Sequence, residues 1–379
     1  MSYLENNLKT IPSGPTKILF LNWPLIFLLT AVAGTGFLML YSVAGGNLET
    51  WAEPQMKRFG VGVVAMIAVG LTPIWFWRNV SGVIYTIALI LLVAVEFVGD
   101  IGMGAQRWLD LGPLRLQPSE IMKIGLVMLL AAYYDWLPAE KVSSPIWVAL
   151  PVALILMPTF LVLTQPDLGT AVMLTLGGGF VMFAAGVSLW YFGTVVALVV
   201  GLVATVLESR GTSWQLLHDY QFKRIDTFLD PSADPLGAGY NIMQAQIALG
   251  SGGWSGRGFM QGTQSHLNFL PEKHTDFIFT TLAEEFGFVG AFGLLILYAG
   301  IIAFATYTAL STKDRFASLV SLGVAGTFFF FFAINMGMVM GLMPVVGVPL
   351  PMVSYGGTAM MILLAAFGLV QSAHVHRPR

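Results

Sequence analysis

Cysteine is absent from the 379 residues, so disulfides, thiolate nucleophiles and cysteine-ligated metals are excluded. Histidine is sparse, and no two histidines sit four apart as on a zinc-binding helical face. Charge is scarce as well: 10% of residues are charged against 56% hydrophobic. The charges gather between long uncharged runs, which is the pattern of a polytopic membrane protein. A net charge of -2 with no clustered basic surface gives no support for a nucleic-acid partner. No motif calls for a cofactor. A divalent cation held by carboxylates such as Asp276 and Asp167 stays open.

What is present is a series of apolar runs. Ten spans are expected: Pro24 to Val43, Phe59 to Phe76, Val80 to Val98, Ser119 to Tyr134, Ile146 to Leu163, Leu168 to Val187, Leu189 to Leu207, Gly287 to Thr308, Phe316 to Leu342 and Gly356 to Gln371. Each is near the roughly 20 residues that cross a bilayer core. The runs lack two-residue alternation, so the spans are helices rather than barrel strands, and the fold class is an all-α membrane bundle. The first run is too long for a cleaved signal peptide and reads as an uncleaved helix. The chain then divides into a polar segment 1–23, seven helices over 24–208, a large loop 209–275, three helices over 276–371 and a tail 372–379.

An even number of spans puts both termini on one side. Lys9, Lys17, Arg78, Lys141, Lys313, Arg315, Arg377 and Arg379 share that side, against Lys57, Arg58, Arg107, Arg115 and Lys123 near the other. The excess favours cytoplasmic termini. Alternation then brings the four unusual connections to one extracytoplasmic face: Gly104 to Glu120, Gln165 to Asp167, Ser209 to Thr275, and Pro344 to Gly357. Function is expected there.

The densest charge lies in LPEKHTDFIFTTLAEEFG (Leu270 to Gly287), which holds Lys273, His274 and Asp276. Asp276 stands where polar loop gives way to apolar helix. It reads either as a general base near the membrane surface or as a helix cap. Glu120 and Lys123 share one face of the fourth span. They form either a self-contained ion pair or a site in which Lys123 reaches Asp276 and holds it ionised. Asp167 reads as a cap for the sixth span, and Trp108 as an interface anchor or a binding platform.

Arg107, Arg115, Lys57 and Arg58 are surface charges or a cationic surround for a lipid diphosphate. GSGGWSGRG (Gly250 to Gly258) lacks the phosphate-loop pattern and reads as flexible cover for a groove, after a short amphipathic helix Tyr240 to Leu249. The proline- and glycine-broken run Pro344 to Gly357 has to pack on protein or line a cavity. An unbroken helix from Asp276 to Thr308 would be about 50 Å long, against a bilayer core of about 30 Å, so a break is expected near Gly287 or Gly290.

GAQRWLDLG with QPSE, QPDLGT, DPLGAGYNI, LPEKHTDFIF, AEE with a following glycine, and PVVGVPLPMVSYGG occur in an order that resembles the SEDS family (shape, elongation, division and sporulation). The resemblance covers nearly the whole chain after its polar start. GAQRWLDLG and PVVGVPLP look like the elongation-specific RodA branch rather than the division branch, FtsW. The resemblance implies a peptidoglycan glycosyltransferase that polymerises lipid II at the outer face of the bacterial inner membrane. Its partners would be a class B penicillin-binding protein transpeptidase, other elongation-complex membrane proteins and membrane lipid.

By the same resemblance Asp276 is the catalytic aspartate, Glu120 and Lys123 the important pair of the fourth helix, Asp167 the QPD aspartate and Trp108 the RWL tryptophan. Lys123, Arg107 and Lys273 are candidates to offset charge on a leaving diphosphate, with His274 beside them. A lipid II flippase and a non-catalytic scaffold for the transpeptidase are the alternative readings.

Overall fold

A computed structural model describes residues 14–102, 105–110, 112, 115–216, 222, 226, 228–230, 238–266 and 272–377. The N-terminal residues 1–13, most of the segment 217–237, residues 267–271 and the last two residues of the tail lie outside that description. The chain is predominantly helical: α1 (Trp23–Val43), α2 (Ala52–Leu71), α3 (Ile74–Val98), α4 (Pro118–Trp136), α5 (Pro145–Thr164), α6 (Leu168–Ala184), α7 (Leu189–Glu208), α8 (Ala238–Ser251), the single turn α9 (Thr263–His266), α10 (Ile278–Ser311), α11 (Arg315–Val339) and α12 (Thr358–Val375). Among the described residues seven of these, α1, α3, α5, α7, α10, α11 and α12, are long and apolar enough to cross a membrane.

Several boundaries differ from the hydropathy reading: α2 ends at Leu71 rather than Phe76 and α3 begins at Ile74 rather than Val80, because the turn falls at Thr72 and Pro73. Helix α2 begins at Ala52, seven residues before the expected span, because Glu53 and Lys57 pair across one turn at 2.6 Å and make a polar start that still winds as helix. The connection after α3 is a small antiparallel sheet, β1 (Asp100–Gly102), β2 (Ala105–Asp110) and β3 (Arg115–Leu116), in the order β1-β2-β3. No strand was expected there.

Helices that have no apolar driving force between them in lipid associate by close packing at small residues. The tightest pair, α2 against α12, shows this. A side chain added at Gly62 would strike Leu364, and one at Gly368 would sit 2.8 Å from the carbonyl oxygen of Met66. Bulk at either position would push the helices apart.

The break in α10 falls at Gly287, where φ is 64° and ψ -160°. In an unbroken helix the carbonyls of Glu284 and Glu285 would accept from the amides of Phe288 and Val289. Here Arg257 and Gly258 donate to those carbonyls at 2.9 and 3.0 Å, while Phe288 and Val289 donate to Gly253 and Trp254 at 2.9 and 3.2 Å. The glycine-rich run is therefore an insert that restores both lost bonds. It is not the flexible cover expected from sequence. Gly252 and Gly256 are required by proximity, since Cβ atoms there would lie 1.9 and 2.1 Å from the carbonyl oxygens of Ala283 and Glu285.

At the end of the bundle formed by the short turns, Arg78 pairs with Asp314 and, at 3.2 Å, with Asp135. Lys17 and His376 meet there at 2.9 Å, joining the start of the chain to its last helix. The unusual connections gather at the other end.

Candidate active site

Three connections and the turn before α10 interlock at that end. The irregular segment between α11 and α12 is held from several sides. Ser354 Oγ accepts from the Leu350 amide at 2.8 Å and donates to the Thr275 carbonyl at 2.6 Å. The Tyr355 amide donates to the His274 carbonyl at 2.9 Å. Gln55, fully buried on α2, donates to the Ser354 carbonyl at 2.9 Å. Asn335 on α11 donates to the carbonyls of both Asp276 and Val348, at 2.9 and 2.8 Å. Irregular backbone at this depth is tolerated because its polar groups find partners within protein.

Asp276 lies in the turn that precedes α10, half-buried, with Gly347 beside its Oδ2. Its main chain is held by Asn335. Among the described residues no hydrogen bond or ion pair engages its carboxylate. Burial, and then the negative charge of Glu272, push that carboxyl up to about 6. It does not cap α10: Phe277 holds the cap position and no side chain caps the helix. In the same turn burial lowers Lys273. Burial also lowers His274, with Glu272 acting in the opposite sense and Lys273 reinforcing the fall. The His274 ring stacks on Trp51 at 4.6 Å with 7° between planes.

Lys123 does not pair with Asp276. Its ammonium meets Glu120 Oε1 at 2.7 Å and lies 4.4 Å over the Phe331 ring, with Lys123 buried. The self-contained pair wins for a local reason: residues three apart on a helix are already neighbours, and a buried ammonium takes the nearest anion. Phe331 and Asn335 are one turn apart on α11, so Lys123 and Asp276 lie at neighbouring steps of one helical face. The pair lines a largely apolar cavity of about 660 Å³, open mouth included, between α4, α11, α12 and the segment Pro349 to Gly356.

Arg107 and Asp167 form a second tie. Arg107 donates to the Gln165 carbonyl at 3.1 Å and to that of Pro166, and its Nη1 lies 3.8 Å from Asp167 Oδ2. Asp167 caps α6, accepting from the amide and hydroxyl of Thr170 at 3.1 and 2.9 Å. The Trp108 ring lies against Gly357 at the cavity rim.

The charges that crowd Leu270 to Gly287 therefore separate. Glu284 and Glu285 are buried anchors: Glu284 Oε1 accepts from the Thr263 hydroxyl and the Gln264 amide, and Glu285 Oε1 from the Ser42 hydroxyl. Asp276 alone faces the site with its carboxylate unengaged among the described residues. Gln55, Asn335 and Ser354 escaped the sequence reading. A lone polar side chain inside an apolar run, as at Asn335, was the signal that could have found one of them.

A multi-pass helical bundle whose irregular connections fasten one acid-bearing turn at a single end is the architecture of a membrane-embedded protein. Residues 19–379 match the FtsW, RodA and SpoVE cell cycle protein family, and the chain belongs to it. It is 42% identical over 355 residues to the peptidoglycan glycosyltransferase MrdB of Escherichia coli K12, covering 93% of each chain. It is 36% identical to a probable peptidoglycan glycosyltransferase FtsW of Aliivibrio salmonicida, over 78% of this chain and 72% of that one. A solved peptidoglycan synthase complex that coordinates polymerization and crosslinking contains a chain of similar fold, with a TM-score of 0.78, 33% identity, and coverage of 93% and 97%. The rod shape determining protein RodA of Thermus thermophilus gives a TM-score of 0.69 at 30% identity, with coverage of 95% and 98%.

Proposed function

We propose that this protein is an elongation-type peptidoglycan glycosyltransferase that polymerises lipid II, with Asp276 as the base. The observation that carries this reading is the state of Asp276: a half-buried carboxylate whose pKa is pushed up to about 6, its main chain fastened, and its oxygens unengaged among the described residues. A general base works best when its pKa approaches the working pH and the neighbouring groups do not neutralise it. Forming a β-1,4 link from an α-linked diphosphate donor inverts the anomeric carbon, which one displacement and one base accomplish. Asp276 takes the proton of the acceptor hydroxyl as the oxygen attacks; the bond from the anomeric carbon to the diphosphate breaks, and polyprenyl diphosphate leaves.

The apolar cavity beside Glu120 and Lys123 would receive part of a prenyl chain, and the ion pair would mark where chain gives way to headgroup. Lys273 and His274, in the same turn as Asp276, would line the headgroup side. Trp108 would flank it at the rim, with Arg107 and Asp167 keeping the rim in shape.

Ten spans complete the proposed topology, with α2, α4 and α6 adding to the seven long apolar helices. Both termini would be cytoplasmic and the site would face the periplasm of the inner membrane. A class B penicillin-binding protein fits as partner, in keeping with the synthase complex that this fold resembles. The test is glycan formation from labelled lipid II by the purified protein, with and without that transpeptidase and a chelator. No polymer under any of these conditions would overturn the reading.

A further inference from the structure

Arg58 is a cation whose charge the described residues leave uncompensated. It sits half-buried near the start of α2, its guanidinium carbon 5.0 Å above the centre of the Tyr355 ring. Its Nη1 is buried and has no hydrogen-bond partner, and none of the ion pairs among the described residues includes it. Three other cations are differently placed: Lys57 pairs with Glu53, Lys123 with Glu120, and Arg107 with Asp167 and two carbonyls. A guanidinium buried at the edge of an apolar bundle is costly without an anion.

The surroundings are built rather than incidental. Tyr355 is tied through its amide to His274, and His274 stacks on Trp51. The ring of Tyr355 orients the guanidinium plane, while Gln55, one turn earlier on α2, holds the neighbouring backbone at Ser354 and Gly356. The result is a cation set on an aromatic ring whose own main chain is bonded to His274, two positions before Asp276 in the sequence. A planar guanidinium matches phosphate oxygens in paired hydrogen bonds, which an ammonium cannot do.

Resting on the glycosyltransferase reading, we infer that Arg58, seated on Tyr355, binds the diphosphate of a polyprenyl-linked sugar. Arg58 thus serves the diphosphate, and Lys123, already neutralised by Glu120, serves the cavity instead. Arg58 is a binding residue here and takes no proton.

The experiment uses the full chain in lipid nanodiscs and measures binding of undecaprenyl diphosphate and of undecaprenol, its uncharged counterpart. Arg58→Gln should weaken the diphosphate by about 10- to 100-fold, the scale of losing hydrogen bonds to a charged group, and leave undecaprenol unchanged. Equal binding of the diphosphate by Arg58→Gln and wild type overturns the inference, as does equal weakening of both ligands, which marks a packing role. If Arg58→Gln does not fold, Arg58→Lys decides: weaker diphosphate binding supports the paired contact and unchanged binding overturns it. Because binding needs no turnover, wild-type protein that binds diphosphate yet makes no glycan would overturn the polymerase reading alone.

Discussion

Asp276→Asn tests the proposed base through stability and activity together. With its carboxyl moved from 3.8 to about 6 by burial and by Glu272, the folded protein holds a proton that the unfolded chain has lost between those values. The wild type therefore loses stability as pH rises through that window. The loss is complete above about 6, and each pKa unit is worth about 1.4 kcal/mol, so the ionised carboxylate costs up to about 3 kcal/mol. Asparagine removes that cost.

Thermal unfolding in detergent should show the variant more stable than wild type at pH 7.5, with the advantage shrinking through pH 5 and gone below about 4. Glycan formation from lipid II should fall by about 100- to 10,000-fold, the usual contribution of a positioned base. Wild-type activity should rise about tenfold per pH unit up to about 6 and then level. A variant that is inactive but less stable at pH 7.5 would mean that Asp276 is a structural group, and a flat activity profile from pH 5 to 7 would remove it as the base.

Three further outcomes follow from the packing. Lys123→Met should destabilise by about 3 to 5 kcal/mol by leaving Glu120 buried and alone, and adding Glu120→Gln should restore most of that, measured as a double-mutant cycle of unfolding; absence of rescue would mean that Lys123 serves another anion. Gly287→Ala forces a side chain into a left-handed backbone with its Cβ 2.3 Å from the Gly256 amide nitrogen, so unfolding should come earlier by about 1 to 3 kcal/mol from the backbone alone, and an unchanged melting profile would refute the interlock. Asn335→Ala releases the carbonyls of Asp276 and Val348 and should lower kcat with little change in KM; a rise in KM alone would place Asn335 in binding instead.

How much of this was readable in advance depended on whether the deciding contact was local. Hydropathy located the apolar helices because burial in lipid is a property of composition, and the length of the run after Asp276 required the break that Gly287 supplies. Alternation brought Trp108, Asp167 and the run before α12 to one end, where Arg107, Gly357 and Thr170 now meet them. The pairing of Lys123 with Glu120 was also visible as the alternative that sequence spacing favoured. The role of the glycine-rich run was not, because its contacts are backbone to backbone across about 30 residues and leave no side-chain signature.

The same distinction explains how one acid among several becomes the reactive one. In a chain this poor in charge, a buried carboxylate needs donors from its own neighbourhood or from a segment folded onto it. Glu120 has Lys123, Asp167 has Thr170 and Arg107, Glu284 has the turn at Thr263, and Glu285 has Ser42. Each of these donors occupies oxygens that a reacting hydroxyl would otherwise have to reach. Asp276 is treated differently: Asn335 takes its carbonyl, and the adjoining segment takes those of His274 and Thr275. The turn is immobilised through its main chain while its carboxylate keeps its basicity. A substitution that placed a donor on that carboxylate, such as Gly347→Ser set against Gly347→Ala to discount the strain of a side chain at φ 71°, should lower its pKa and slow glycan formation even though every proposed site residue remained.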